Sequence, residues 1–318
     1  MDNALLMHIA SAVAGFVAMV SGGYWGLGGG WLIVPALLLV GVDFQTAAAA
    51  SLLQMAPSTF MTVIGQYKEI GWGKGSWGRK VALPLCSATL IGSCFGGSLG
   101  ILLYWIFSSH KPHELLYVAL LVWIIWTTLM KKNKSAALEN SMPPEKLKLA
   151  VPCCVGLGIG ALSSMLGLGG GIQTRPLLAN VLQVPEKQTA MITRLSIFLT
   201  ATAGSISYLL TPGTDKPRII GLAFFLMLGG IAGFKLGSWM HSIVLKAGGA
   251  AKAGASFAIV AALVLMSLLC KISGLILAGQ VLIVVAGIGL TAYLAHGTIK
   301  AWRAISASGS KKDETRSR

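Results

Sequence analysis

Gly26-Leu27-Gly28-Gly29-Gly30, followed by Pro35, and Gly167-Leu168-Gly169-Gly170-Gly171, followed by Pro176, stand 141 residues apart in a chain of 318. Each pentapeptide interrupts an apolar run too long for one straight span. Leu5 to Val42 as a continuous helix would measure roughly 55 Å at about 1.5 Å per residue, against a hydrocarbon core of about 30 Å. Leu149 to Val184 is overlong in the same way. Both runs must bend at their glycines, so the chain reads as an all-helical membrane protein built around two broken helices.

The composition agrees: 55% of the residues are apolar, 11% are charged, and the mean hydropathy is +0.75. Soluble domains carry about 25% charged residues. The longest polar stretches, Lys131 to Lys148 and Lys300 to Arg318, are too short to fold alone, so no soluble catalytic or nucleotide-binding domain is expected. The net charge of +15 does not indicate nucleic acid, because basic residues beside apolar spans first report topology and anionic lipid. Five cysteines without a CxxC pair read as free thiols, and the amino terminus lacks the basic region of a cleaved signal peptide.

The glycine clusters are part of a longer duplication. Gln45-Thr46-Ala47 recurs as Gln188-Thr189-Ala190, and the ladder Gly92, Gly96, Gly100 recurs as Gly229, Gly233, Gly237. The predicted repeats are Met1–Asn140 and Ser141–Arg318, each a re-entrant hairpin plus three spans, with one extra carboxyl-terminal helix and a basic cytoplasmic tail. The positive-inside rule orients them. Threading back from a cytoplasmic carboxyl terminus places 18 of the 25 basic residues inside, four outside and three, Arg175, Arg194 and Lys235, within the membrane. The amino terminus then lies outside, and the two repeats are inverted relative to each other.

Inverted repeats around interrupted helices point to a secondary transporter with its site near the midplane. The return leg Trp31 to Val42 is about 18 Å by helical rise, so its amino-terminal end lies inside the membrane. Free N–H groups and the helix dipole there favour an anion, and glycine lets it approach the backbone. Gly28, Gly29, Gly30, Gly169, Gly170 and Gly171 are accordingly candidate substrate-binding positions; close helix packing is the alternative reading, and it is the preferred one for the two ladders. Helical rise places Arg175 roughly 15 Å, Lys235 roughly 12 Å and Arg194 roughly 9 Å deep, with no acidic neighbour within the membrane on this threading. A bound anion would offset the cost of such cations. Snorkelling to the headgroups is the competing explanation, above all for Lys235, which is a gating or binding candidate of lower rank. The repeat offset sets Ser51 opposite Arg194, with Gln54 one turn on, and Gln173 lies beside the second break; these three are candidate neutral donors. No metal-ligand set, cofactor motif or His-acid cluster is visible; His110 and His113 are placed in a loop, and Asp43 is a carboxylate at a helix edge.

Gly-Leu-Gly-Gly-Gly followed by Pro and an Ala-rich helix, once in each half, resembles the TauE/SafE sulfite and organosulfonate exporter family over roughly residues 15–65 and 156–204. The resemblance implies an inner-membrane carrier that exports a small sulfur oxyanion or sulfonate, such as sulfite or sulfoacetate, by alternating access. The second copy departs from the first by Gln173, Arg175 and two extra residues before Gln188. Rival readings are a carrier for a carboxylate or another oxyanion, and an intramembrane lipid-modifying enzyme, for which no paired acid or histidine is evident. The expected partners are a small anion and membrane lipid; a homodimer is compatible with the sequence, which assigns no oligomeric state.

Overall fold

The computed structural model describes residues 3–73, 75–129, 150–246 and 253–316; they are helical, and no strand occurs among them. The boundary expected at residue 140 and the loops at Lys131–Lys148 and 247–252 lie outside the described residues. The first half comprises α1 (Asn3–Trp25), α2 (Gly30–Leu39), α3 (Phe44–Gln66), α4 (Leu83–Cys94), α5 (Gly96–Phe107) and α6 (Lys111–Leu129). The second comprises α7 (Ala150–Leu166), α8 (Gly171–Pro176), α9 (Glu186–Leu210), α10 (Lys216–Lys246), α11 (Ala253–Ile272) and α12 (Ile276–Arg316). Five helices are long and apolar enough to cross a membrane, and a sixth span is counted if α4, with the π turn before it, and α5 are taken as one. The outer surface is apolar, with Trp105 at 78% and Leu277 at 76% exposure, as a lipid-facing surface requires.

Both long runs break where the glycines stand. Gly26 (φ 66°) and Gly28 (φ 76°) end α1, and Gly167, Gly169 and Gly170 (φ 73°, 71° and 82°) end α7; only glycine takes this left-handed backbone without strain. The two extra residues of the second copy are accommodated where α8 continues into a π turn, Leu177–Val181, and where Gln183 turns left-handed at φ 53°. A π turn takes up an additional residue without leaving the helix. One interruption was not expected from the sequence: the run Val81 to Phe107 bends by 43° at Phe95, whereas its repeat partner α10 is continuous.

The glycine ladders are packing surfaces. A methyl group at Gly229, Gly233 or Gly237 of α10 would overlap the carbonyl oxygens of Ala12, Phe16 and Val20 on α1. Across the molecule, Gly92 lies against Leu157 of α7, while Gly156 and Gly160 of α7 lie against Leu85 and Thr89 of α4. Ser164 Oγ donates to the Ser93 carbonyl at 3.1 Å across this second contact. Each pair joins one helix of the first half to one of the second.

The chain turns cluster at two ends. At one end, Asp43 caps α3 by accepting from Thr46 N at 2.9 Å and lies 3.8 Å from Arg218 at the start of α10. His110, just before α6, stacks on Tyr104 at 4.4 Å, and Glu114 pairs with Lys271 at the end of α11. Burial draws the His110 imidazole below its ordinary value, opposed by the Asp43 and Glu114 carboxylates. His113 is not in a loop: it lies in α6, fully buried, with Nε2 2.8 Å from the Gly100 carbonyl oxygen. At the other end Ile70 and Trp77 pack with Leu182, Val184 and Met191, which joins the turn after α3 to the turn after α8. The cysteines are free thiols, but only Cys86 is buried; Cys94 and Cys154 face outward.

Gly233→Ala is expected to destabilise the protein by about 1–3 kcal/mol, the usual cost of overpacking. Gly221→Ala, on the same helix with nothing within 4 Å of the added carbon, should gain roughly 0.5–1 kcal/mol of helix propensity. Thermal unfolding of the two purified variants in detergent compares them directly.

Candidate functional site

The two breaks meet in the protein interior. Gly30, the first residue of α2, lies against the carbonyl oxygen of Gly167, and Gly171, the first residue of α8, lies against that of Leu27. Neither position has space for a side chain, so these contacts, like those of the ladders, depend on glycine. Met55 of α3 and Ile197 of α9, both fully buried, cover the breaks jointly: the open side of Gly28 is 3.2 Å from Met55 Sδ and 3.5 Å from Ile197 Cγ2. Gly169 touches the same two side chains. The carbonyls freed by the interruptions find partners within the protein. Ser51 Oγ donates to Gly167 O at 2.9 Å and Tyr208 Oη to Met165 O at 2.8 Å, while Tyr117 Oη adds a bond at 3.1 Å to Gly30 O, the first carbonyl inside α2.

Two of the three intramembrane cations are brought together. A Cβ placed on Gly26 would lie 3.8 Å from Arg194 Nε and 3.9 Å from Arg175 Nη1, so the guanidinium groups of α8 and α9 both reach the break of the opposite half. Arg194 is 7% exposed and Arg175 is partly buried. Ser51, at the equivalent place on α3, reaches the break of the second half, so Ser51 and Arg194 act reciprocally across the interior. Lys235 is elsewhere: it is exposed on the outer face of α10, on the same side as Ile231 and Trp239, where snorkelling accounts for it.

The expected neutral donors are differently occupied. Ser51 is a backbone latch, its hydroxyl proton held by Gly167 O. Gln54 is fully buried and lies against Gly230 of α10; its Oε1 accepts from Ser58 at 3.4 Å and its Nε2 has no partner. Gln173 is 3% exposed; Ser163 of α7 donates to its Oε1, and its Nε2 again has no partner. Beside it stands a hydroxyl group set that the sequence reading missed. Thr174 Oγ1 is 3.3 Å from Ser196 Oγ, and Thr200 Oγ1 is 3.1 Å from the Cβ position of Gly170. The signal was present in Thr193, Ser196 and Thr200, spaced three and four residues apart and therefore on one face of α9.

A polytopic helical protein whose broken helices meet in its interior, with two arginines at one of the breaks, has the architecture of a membrane transporter. The chain belongs to the TauE/SafE family: the family profile, described as sulfite exporter TauE/SafE, matches residues 11–263. As a member of this family the chain is a membrane transporter, and the relatives that it matches are described as probable membrane transporters. It is 27% identical over 215 residues to a probable membrane transporter protein of Methanocaldococcus jannaschii, covering 64% of this chain and 73% of that one. It is 24% identical over 230 residues to a probable membrane transporter protein of Bacillus subtilis, covering 65% and 80% of the two chains. A third relative, a probable membrane transporter protein of Haemophilus influenzae, is 23% identical over 201 residues, covering 62% of this chain and 70% of its own. No solved structure matches the chain.

Ser51→Ala should cost about 1–3 kcal/mol, because it leaves the buried Gly167 carbonyl without its donor. Ser58→Ala, which removes bonds only to Gln54 of its own helix, should cost less. Thermal unfolding of both variants in detergent gives the order.

Proposed function

We propose that this transporter carries a small sulfur-containing anion, sulfite or an organosulfonate such as sulfoacetate, out across the bacterial inner membrane by alternating access. The observation that carries the reading is the convergence of Arg175 and Arg194 on the Gly26 break. Two planar guanidinium groups at one point suit an anion with several equivalent oxygens, since each can make a paired hydrogen bond that an ammonium cannot. Of the glycines at the two breaks, Gly170 faces hydroxyl groups and lets the backbone approach the ligand, and Gln173 supplies a neutral donor, while Gly28, Gly29, Gly30, Gly169 and Gly171 shape the breaks and Gln54 is turned to Gly230. The description of the family supports the choice of sulfur among oxyanions.

The same reading makes the two halves inverted repeats, 1–140 and 141–318. The turn after α2 groups with the turns at 108–111, 211–218 and 271–275, whereas the turn after α8 groups with the one after α3, and this opposition supports inversion. On the positive-inside rule the first group faces outside, together with the amino terminus, and the carboxyl terminus is cytoplasmic.

In liposomes bearing the purified protein, labelled sulfite or sulfoacetate should move, and unlabelled carboxylates should compete poorly. Strong competition by a carboxylate would transfer the assignment to that class. Arg175→Ala should abolish flux in a folded protein, and Arg175→Lys should weaken binding by about 1–3 kcal/mol, the scale of a charge-assisted hydrogen bond. Lys235→Ala should transport normally. A folded Arg175→Ala protein of unchanged affinity would refute the arginine site.

For orientation, single cysteines at Thr214 and at Ser76, in a protein whose native cysteines are replaced, should label from outside and only after permeabilisation, respectively. The reverse pattern would overturn the threading.

A further inference from the structure

The two breaks resemble each other in backbone but not in what surrounds them. Gly29 and Gly170 are equivalent positions in the two pentapeptides. The open side of Gly29 faces Met19 Sδ at 2.6 Å and the backbone of Ala18, whereas that of Gly170 faces Thr200 Oγ1 at 3.1 Å and Ser196 Oγ at 3.6 Å. The repeat offsets extend the contrast: Gln173 and Thr174 correspond to Leu32 and Ile33, and Ser196 and Thr200 to Leu53 and Pro57. The polar residue that the first half does supply, Gln54, is turned to Gly230 and not to Gly28 or Gly29.

Hydroxyls inside membrane helices ordinarily satisfy themselves on the carbonyl one turn back. Thr59 does so with Met55 at 2.8 Å, Thr89 with Leu85 at 2.7 Å, and Thr202, two residues from Thr200, with Phe198 at 2.8 Å. Thr200 does not: it is fully buried and its Oγ1 has no partner. The amide Nε2 of Gln173, which can only donate, is in the same state one turn into α8, where Gln173 N and Thr174 N are both bonded to Gly170 O. Two buried donors, one facing Gly170 and the other on the residue whose N–H is bonded to the Gly170 carbonyl, both lack an acceptor and call for a ligand that is all acceptor.

We propose that the anion is bound off centre, on the second break: the hydroxyls of Thr174, Ser196 and Thr200 and the amide of Gln173 ligate its oxygens around Gly170, while the first break presents Met19 and Met55 as an apolar wall. The inference rests on the anion reading above and deepens it, because it adds a neutral donor shell on the second break to the two arginines that reach Gly26 of the first, and so gives the ligand an orientation between them. The chemistry it selects is a compact oxyanion, and the sulfur–oxygen group shared by sulfite and the sulfonates meets it. Hydroxyl and amide donors can match several oxygens at once without adding charge, so the arginines supply the electrostatic attraction and the hydroxyls define position.

The test is calorimetric titration of the purified protein with sulfite and with methanesulfonate. Thr200→Val and Ser196→Ala should each weaken binding roughly ten- to hundredfold, the range of a hydrogen bond to a charged ligand. Thr200→Ser, which restores the hydroxyl, should bind as the parent does. Thr202→Val should also leave affinity unchanged, because that hydroxyl is bonded within its own helix. Thermal unfolding identifies any variant that fails to fold, and the Thr200→Ser and Thr200→Val pair then carries the comparison. If the parent binds and Arg175→Ala does not, while Thr200→Val and Ser196→Ala keep full affinity, the donor shell is wrong and the two-arginine reading stands. If the parent binds neither anion, the anion reading fails and the off-centre site with it.

Discussion

A backbone carbonyl or N–H inside the hydrocarbon core has no water to turn to, and this single constraint governs the interior of the protein. Interrupting two helices at membrane depth exposes such groups twice over. The interruptions are tolerated because each is buried against the other, with Gly30 on Gly167 and Gly171 on Leu27, and because Ser51 and Tyr208 reach across from other helices to freed carbonyls. The place where the chain is least helical is therefore among the most completely enclosed. Met55 and Ile197, touching both breaks, exclude lipid from it.

Much of this was legible in the primary sequence because it depends on spacing. Two overlong apolar runs with the same glycine pentapeptide could only bend, and the ladders with a period of four read first as helix-crossing faces. The bend at Phe95 was not legible, since neither a proline nor a positive-φ glycine marks it and its repeat partner α10 is straight. His113 was likewise placed in a loop because a histidine two residues after a lysine and next to a glutamate reads as a solvated turn. Its burial follows from tertiary contacts, a bond to Gly100 and a ring contact with Phe44, which leave no trace in local composition.

For the site, sequence reasoning separated the candidates by depth but not by direction. Arg175, Arg194 and Lys235 have similar computed depths, yet two point inward and one outward; a helix position states how far along a residue sits, and only packing states which way it looks. Ser51 was correctly placed beside the interior but assigned to a ligand, whereas its hydroxyl is engaged by backbone. The threonines and serines of α9 are easily passed over because isolated hydroxyls in an apolar run look like helix-satisfied side chains, as Thr202 and Ser205 are.

The glycine ladders bear on movement. Backbone-to-backbone contact along several turns leaves few side chains to reshuffle, so α1 with α10, and α4 with α7, form closely joined ribs. Each rib contains one helix from each half of the gene product. On the alternating-access reading proposed above, the bodies that rock would be two composites, each stitched from both halves, with α3 and α9, whose Met55 and Ile197 cover the breaks, between them. The recurrence of the glycine motifs along the sequence and the pairing of helices in the folded molecule thus divide the chain along different lines.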